Sequence, residues 1–154
     1  MDTSKNYVKM CATSEEVQTA WKKEVRVGDF FNLGAGRSQW GIVSGKVWNV
    51  GKDIEPYWSY RIDGDIGGFW TYPTHDKLCD GFFKWLPRQD QLQEIIDTGR
   101  GPMVLLKYME FILFNGEGKK YFLQFSSFEQ LWLVFVMKEK YGKTWNGQDW
   151  VKEG

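Results

Sequence analysis

The chain has one stretch whose residue types could bind a metal ion. His75, the only histidine, is followed by Asp76, Cys79 and Asp80. A zinc site needs four ligands, usually paired at short spacing, whereas His75 and Cys79 supply only two nitrogen or sulfur ligands here. The second cysteine, Cys11, is far away in the sequence. This spacing favours a polar loop, and we expect the protein to hold no metal ion and no other cofactor.

A second stretch begins like a calcium-binding loop. Asp63, Asp65 and Gly67 follow the D-x-D-x-G order with which such loops start. The complete loop ends in a carboxylate at its twelfth position, and here that position is Thr74. The pattern therefore favours a tight turn between two strands.

Catalysis by a serine or cysteine nucleophile would need a base beside it. His75 is the only imidazole, and the chain has no Gly-x-Ser-x-Gly sequence of the kind that places a nucleophile between a strand and a helix. A pair of carboxylates that lie far apart in the sequence stays open as an alternative. The sequence predicts a protein that is not an enzyme.

Two polar stretches could bind an anion or form a polar network. Gly34–Gly36 is followed by Arg37, but phosphate loops of the common kinds open a helix, so a hairpin turn is favoured over an anion site. Arg88–Gln91 follows Pro87. Its position favours a structural network, in which Arg88 pairs with the C-terminal block, over a solvated first helical turn in which Asp90 interacts favourably with the helix dipole.

Composition narrows the classes of protein to consider. The 154 residues include 20 Lys and Arg and 20 Asp and Glu, so the net charge is zero. A protein that binds duplex DNA usually carries a basic excess. No apolar run approaches the roughly 18–20 residues that span a bilayer, and residues 1–10 have no apolar stretch typical of a secretion signal. Two cysteines do not make a disulfide framework. We expect a cytoplasmic protein without a membrane partner.

The first half of the chain predicts one helix and then a β unit. Thr13 and Ser14 precede Glu15 and an apolar stripe, which predicts a helix over about 14–23. Short runs of aromatic and β-branched residues follow, separated by glycines, and such runs predict antiparallel strands over about 26–86. The runs are Val27–Leu33, Trp40–Val50, Tyr57–Ile62, Phe69–Tyr72 and Phe82–Leu86.

The second half predicts a helical part over about 87–151. Pro87 opens a helix that Gly99 ends, and the length of residues 103–114 favours a buried helix, although their β-branched and aromatic content also permits a strand. Residues 115–118 predict a turn, and residues 121–125 a strand. Capping boxes at Ser126 and Ser127 and a stop at Gly142 predict a helix over about 127–141 that is apolar on every face and therefore buried. Asn146–Gly147, between two Trp residues, predicts a hairpin.

Together these elements predict an α+β fold in a single domain over 1–154. A small antiparallel β meander or barrel, about 26–86, would pack against a helical layer. The helix at about 127–141 would be the central buried element of that layer.

Two sequence blocks resemble a known family. LPRQDQLQEII (Leu86–Ile96) and EQLWLVFVMKEKYGKTWNGQDWV (Glu129–Val151) are similar to blocks in small proteins encoded by phages and prophages of Gram-positive bacteria. Members begin with a helix and a β-rich middle that starts with Gly-Asp, here Gly28–Asp29. The family has no assigned activity, so the resemblance implies an origin, a phage or prophage gene acting in the bacterial cytoplasm, and no catalytic residue.

Two kinds of function fit these observations. The first is a non-catalytic binding protein that acts on a host macromolecule or a host signalling molecule, for example by interfering with bacterial defence. The alternative is a module that binds single-stranded nucleic acid or a nucleotide by stacking bases on exposed aromatic residues of the β unit. In both cases we expect the binding site on the β unit. The candidate residues are Trp40, Trp48, Trp58, Trp70, Arg37 and Arg61.

Overall fold

A computed structural model describes residues 1–23, 26, 28–33, 40–48, 56–62, 69–72, 83–96 and 101–152. The chain divides into two compact units. The helical unit comprises Met1–Glu16 and Pro87–Gly154, and the sheet unit comprises Val17–Leu86. The fold contains both helices and antiparallel strands, which confirms the predicted α+β class.

Two short helices begin the chain. α1 (Lys5–Thr13) starts at Ser4, whose hydroxyl accepts a hydrogen bond from the Tyr7 amide. α2 (Glu15–Lys23) confirms the helix predicted over about 14–23. α1 has no counterpart among the predicted helices, although its buried residues, Tyr7, Met10 and Cys11, have the i, i+3, i+4 spacing of a helix face.

The described residues of the sheet unit form five antiparallel strands. They are β1 (Phe30–Leu33), β2 (Trp40–Trp48), β3 (Pro56–Ile62), β4 (Phe69–Tyr72) and β5 (Phe83–Leu86). Their order in the sheet is β4-β3-β2-β1-β5, so the first four form the predicted meander and β5 lies beside β1. The pairings between described residues do not join β4 to β5, and closure into a barrel stays a prediction.

A buried polar contact fixes the start of this sheet. Trp21 donates from its indole nitrogen to Asp29 Oδ2 at 2.8 Å, and the Arg26 amide donates to the same oxygen at 2.8 Å. Gly28 has a φ of 93° and donates its amide to the Val43 carbonyl. The Gly-Asp pair thus turns the chain and satisfies two donors, because glycine adopts a positive φ without steric cost.

Among the described residues, four further helices follow β5. They are α3 (Gln89–Ile96), α4 (Gly101–Phe114), α5 (Gly116–Gln124) and α6 (Phe128–Tyr141). α4 confirms the helix chosen for residues 103–114. The predictions of a turn at 115–118 and a strand at 121–125 are wrong. Asn115 instead caps α5, its side-chain oxygen accepting from the amides of Glu117 and Gly118. The predicted stop at Gly99 lies outside the described residues.

α6 is buried on all sides through its middle. Its eight residues from Gln130 to Met137 are all buried, as the prediction for this helix required. Ser127 caps the helix by accepting from the Gln130 amide, and Gly142, with a φ of 62°, ends it. Both predicted ends are confirmed. A helix that is apolar all round must be covered by other elements, and α3, α4 and α5 supply part of that cover.

A hairpin completes the helical unit. β6 (Lys143–Trp145) pairs with β7 (Trp150–Lys152), and Trp145 lies opposite Trp150. The loop has four residues, and Asn146 Oδ1 accepts from the amides of Gln148 and Asp149. The Trp150 indole nitrogen donates to the Met10 carbonyl at 2.9 Å. The hairpin predicted around Asn146–Gly147 is confirmed, and it is packed against α1.

Candidate protein-binding face

The outward side of α4 is apolar, although the helix already buries its opposite side. Its exposed apolar side chains include Leu105, Leu106, Met109 and Leu113, with exposed fractions of 54%, 62%, 42% and 52%. A surface helix normally turns polar residues towards solvent. We call these four residues the α4 face.

The buried side of α4 determines which residues face outward. Tyr108 stacks on Trp132 with ring centroids 4.0 Å apart, and Phe111 packs on Phe135 at 5.6 Å. Burial raises the pKa of Tyr108 to about 12, so its hydroxyl stays neutral under ordinary conditions. These aromatic contacts hold α4 in one rotation about its axis, and the α4 face is therefore a fixed surface.

α5 packs closely against α4 and adds further exposed apolar residues. A Cβ atom placed on Gly118 would lie 2.1 Å from the Phe111 carbonyl oxygen, so only glycine allows this approach of the two helices. Phe114, Phe122 and Leu123 have exposed fractions of 82%, 51% and 77%. The α4–α5 pair thus presents large apolar side chains beyond the α4 face itself.

Charged groups lie beside the α4 face and not within it. Lys107 Nζ is 3.6 Å from a carboxylate oxygen of Glu139, and Lys138 Nζ is 2.6 Å from Glu117. Glu110 is exposed. Exposed ion pairs contribute little to stability. Their placement matters because a partner could cover the α4 face without removing a charge from water, which is costly.

A groove adjoins the N-terminal half of α4. It has a volume of about 360 Å³, and its apolar lining includes Ile95, Ile96, Met103 and Val104. Lys140 lies at its edge and donates to the Ile95 carbonyl at 2.6 Å. None of the four residues of the α4 face lines this groove, which lies on the side of α4 that carries Met103, Val104 and Lys107.

The strand register separates the predicted aromatic site into two groups. Trp58 pairs with both Lys46 and Tyr72, and Trp70 pairs with Tyr60. Directly opposed residues share a face of the sheet, and so do residues two apart along a strand. Trp58 and Trp70 therefore share one face.

The remaining predicted residues divide in the same way. Trp48 pairs with Pro56, two residues before Trp58, and belongs to the face of Trp58 and Trp70. Arg61 and Trp40 belong to the opposite face, because Arg61 pairs with Ile42 and Trp40 lies two residues before it. Arg37 lies outside the described residues, as do the side chains of the others. The binding role of all six stays a prediction.

The other candidate sites are distributed as follows. His75, Cys79, the Asp63–Gly67 stretch and the Gly34–Gly36 stretch lie outside the described residues. Across the ranges that the structure describes, no group of three or more His, Cys, Asp or Glu residues could hold a metal ion.

Cys11 lies in the protein core, and Arg88 forms an ion pair with a residue of its own helix start. Cys11 is fully buried, and burial raises the pKa of its thiol. Arg88 binds the nearby Asp90 through two nitrogens at 3.1 and 3.0 Å, and this hydrogen bonding lowers the pKa of the Asp90 carboxyl. The predicted pairing of Arg88 with the C-terminal block stays a prediction.

Sequence reasoning did not identify the α4 face. The signal was present, since residues 101–114 contain only Lys107 and Glu110 as charged residues. An apolar segment of this length was interpreted as a buried helix, which is the usual outcome. Which side would stay exposed depends on α3, α5 and α6, and local sequence does not specify those contacts.

Comparison with known proteins adds no assignment. No protein-family model, curated protein or solved structure matches the chain. Of the helices in the described part of the chain, none has the length and apolar character needed to cross a bilayer.

Proposed function

We propose that the chain is a non-catalytic binding protein, encoded by a phage or prophage, that acts in the bacterial cytoplasm on a host macromolecule or a host signalling molecule. Interference with bacterial defence is one specific form of this function. The observation that carries the proposal is the α4 face, which we propose is a protein-binding surface.

The size of the exposed apolar surface supports this role. At roughly 200 Å² for a fully exposed large side chain, the α4 face alone exposes about 400 Å². The largest apolar patch on a typical monomer is about 300–600 Å², and patches of that size often mark a binding site.

The sheet unit would contribute the second contact in this proposal. There the strands close into a small barrel, and the face that carries Trp48, Trp58 and Trp70 contacts the host ligand. Trp and Arg suit this role because they contribute most of the binding free energy in many interfaces.

Photo-crosslinking in host cells tests the protein-binding role of the α4 face. A photoreactive amino acid would replace Leu106 or Met109, and in a matched control it would replace Gln124, an exposed polar residue of α5. We expect a crosslinked protein, identified by mass spectrometry, from positions 106 and 109 and none from 124. The absence of any crosslink to a protein at 106 and 109 would contradict the proposal.

A single-stranded nucleic-acid or nucleotide module is the second candidate. The register supports it by placing Trp58, Trp70 and Lys46 on one face, a combination of stacking and basic groups that suits single strands. Titration with short oligonucleotides should then quench Trp fluorescence, and added salt should weaken the effect. Unchanged fluorescence at low salt would exclude this candidate.

A further inference from the structure

The α4 face has the spacing of a helix-pairing seam. Pro102, which is exposed, precedes Leu106, Met109 and Leu113 at intervals of four, three and four residues. Alternating intervals of three and four are those of the apolar positions at which two helices pack together. In α4 these positions point away from the protein's own core.

The same seam is symmetric about its centre. Reversing α4 about the midpoint between residues 107 and 108 exchanges Leu106 with Met109 and Pro102 with Leu113. Along the seam, apolar residues therefore replace apolar residues, and an antiparallel copy of α4 would meet a matching seam. At its edge Leu105 exchanges with Glu110, so each Glu110 borders the Leu105 of the other copy. A two-fold interface requires this self-complementarity.

The exposed area is close to what a stable dimer needs. A standard interface buries about 800 Å² per partner, and about 65% of a homodimer interface is apolar. The apolar requirement is therefore about 500 Å² per partner. The α4 face supplies about 400 Å² at roughly 200 Å² per exposed side chain, and exposed Pro102 and Met103 extend it.

We infer that the occupant of the α4 face is a second copy of this chain, which makes the protein a homodimer through an antiparallel pair of α4 helices. The inference rests on the proposed function, since it names the partner of the same surface. Leu106 of one protomer lies opposite Met109 of its partner across the two-fold axis. The host ligand then binds the sheet unit, which is the second contact of the proposed function, and each dimer carries two sheet units.

Sedimentation velocity over a series of protein concentrations tests the association. We expect the wild type to sediment at twice the 18.1 kDa of one chain. Leu106→Glu should weaken dimerisation by on the order of tenfold or more, as loss of a central apolar contact does. Leu123→Glu is the matched control, because Leu123 is an exposed leucine on α5, and it should leave the dimer intact.

Cross-linking tests the antiparallel register without relying on a charged variant. In a Cys79→Ser background, Leu106→Cys chains mixed with Met109→Cys chains should form an intermolecular disulfide on oxidation. Either variant alone should do so much more slowly, because a disulfide needs Cα atoms about 4.4–6.8 Å apart. Faster cross-linking of Leu106→Cys with itself would overturn the antiparallel arrangement.

The outcomes separate this inference from the proposed function. A wild type that stays monomeric at about 100 µM, a concentration at which an interface of this size associates, overturns the homodimer. If host-cell crosslinks at 106 then lead to another protein, the proposed function survives and the occupant is a host protein. A monomer that binds lipid vesicles through Leu106, with no protein crosslink, overturns both.

Discussion

At the scale of single residues, Gly118 controls how closely α5 approaches α4. Gly118→Ala would place a Cβ atom 2.1 Å from the Phe111 carbonyl oxygen. The backbone must move to relieve that contact, and we expect a loss of about 1–3 kcal/mol in the free energy of unfolding. Urea unfolding followed by circular dichroism measures it.

Gly116 provides the control for that substitution. It is also a glycine of α5, but a Cβ atom there would meet nothing within 4 Å. Gly116→Ala should be neutral or should stabilise the protein by up to about 1 kcal/mol, since alanine favours a helix over glycine. Equal effects at the two positions would contradict the close approach of α4 and α5.

Cys11 should be chemically inert in the folded protein. It is fully buried, and burial raises the pKa of its thiol, so the reactive thiolate is rare. In a Cys79→Ser variant we expect no reaction with a disulfide reagent under native conditions and complete reaction in denaturant. Rapid labelling of the native protein would contradict the burial of this residue.

At the scale of elements, α6 should supply much of the stability of the helical unit. Phe135 has no exposed surface and contacts Tyr108, Phe111 and Trp132. Phe135→Ala should cost about 3–5 kcal/mol, from lost apolar burial and the cavity left behind. Phe128→Ala in the same helix is the control, because Phe128 is 59% exposed and should cost far less. Similar losses would contradict a buried α6.

The hairpin strand β6 should show a pH-dependent contribution through Lys143. Burial opposes ionisation of Glu16, but the hydrogen bond and charge of Lys143, 2.6 Å away, outweigh it and lower the pKa of Glu16. A lowered pKa means that the contact stabilises the fold at neutral pH and that this contribution disappears as the pH falls through the folded-state value.

The pH dependence can be measured with Lys143→Ala. Its destabilisation relative to the wild type should be largest near neutral pH and should shrink as the pH falls below the ordinary pKa of Glu. Lys152→Ala, which removes an exposed lysine of β7 whose charge lowers the pKa of Glu16 less than Lys143 does, serves as the comparison and should show a smaller change. A difference that stays constant with pH would exclude the ion pair as its source.

Elements with strong end signals were predictable from the sequence, and those specified by packing were not. α6 has a serine cap, a terminal glycine and a continuous apolar middle, and its bounds were predicted within one residue. α5 was missed because Asn115 and two glycines are also typical of a turn. A contact distant in sequence accompanies the helix. The Tyr121 hydroxyl donates to the carbonyl of Trp145, 24 residues away, and accepts from the amide of the same residue.

At the scale of the whole molecule, zero net charge and an exposed apolar face should limit solubility. The sequence pI is about 6.6, and little charge repulsion opposes association near that pH. We expect solubility, measured by precipitation with polyethylene glycol, to be lowest near the pI and to rise at more alkaline pH. Leu106→Glu should raise solubility at neutral and alkaline pH, because it adds a negative charge and reduces the exposed apolar area of the α4 face. A variant no more soluble than the wild type would contradict this role of the α4 face.

Which aromatic residues of the sheet lie on the same face was less predictable from the sequence than the sheet itself. The strand runs and the Gly-Asp start indicated the sheet, and the structure confirms its antiparallel meander. Whether two Trp residues share a face depends on register, and the irregularity between Val43 and Gly45 shifts it by one residue. Such a shift moves every later side chain of a strand to the other face, so no reading of single strands could group Trp48 with Trp58.

The bond from Trp150 to the Met10 carbonyl joins residues 140 positions apart, and it has a consequence for synthesis on the ribosome. Translation proceeds at about 5–20 residues per second, so α1 emerges roughly ten seconds before its hairpin partner exists. The sheet unit, which is continuous in sequence, is complete during that interval. The buried residues of α1, Tyr7, Met10 and Cys11, stay without their final cover until the last strand is made. The nascent chain is therefore most open to chaperones and proteases at its own beginning.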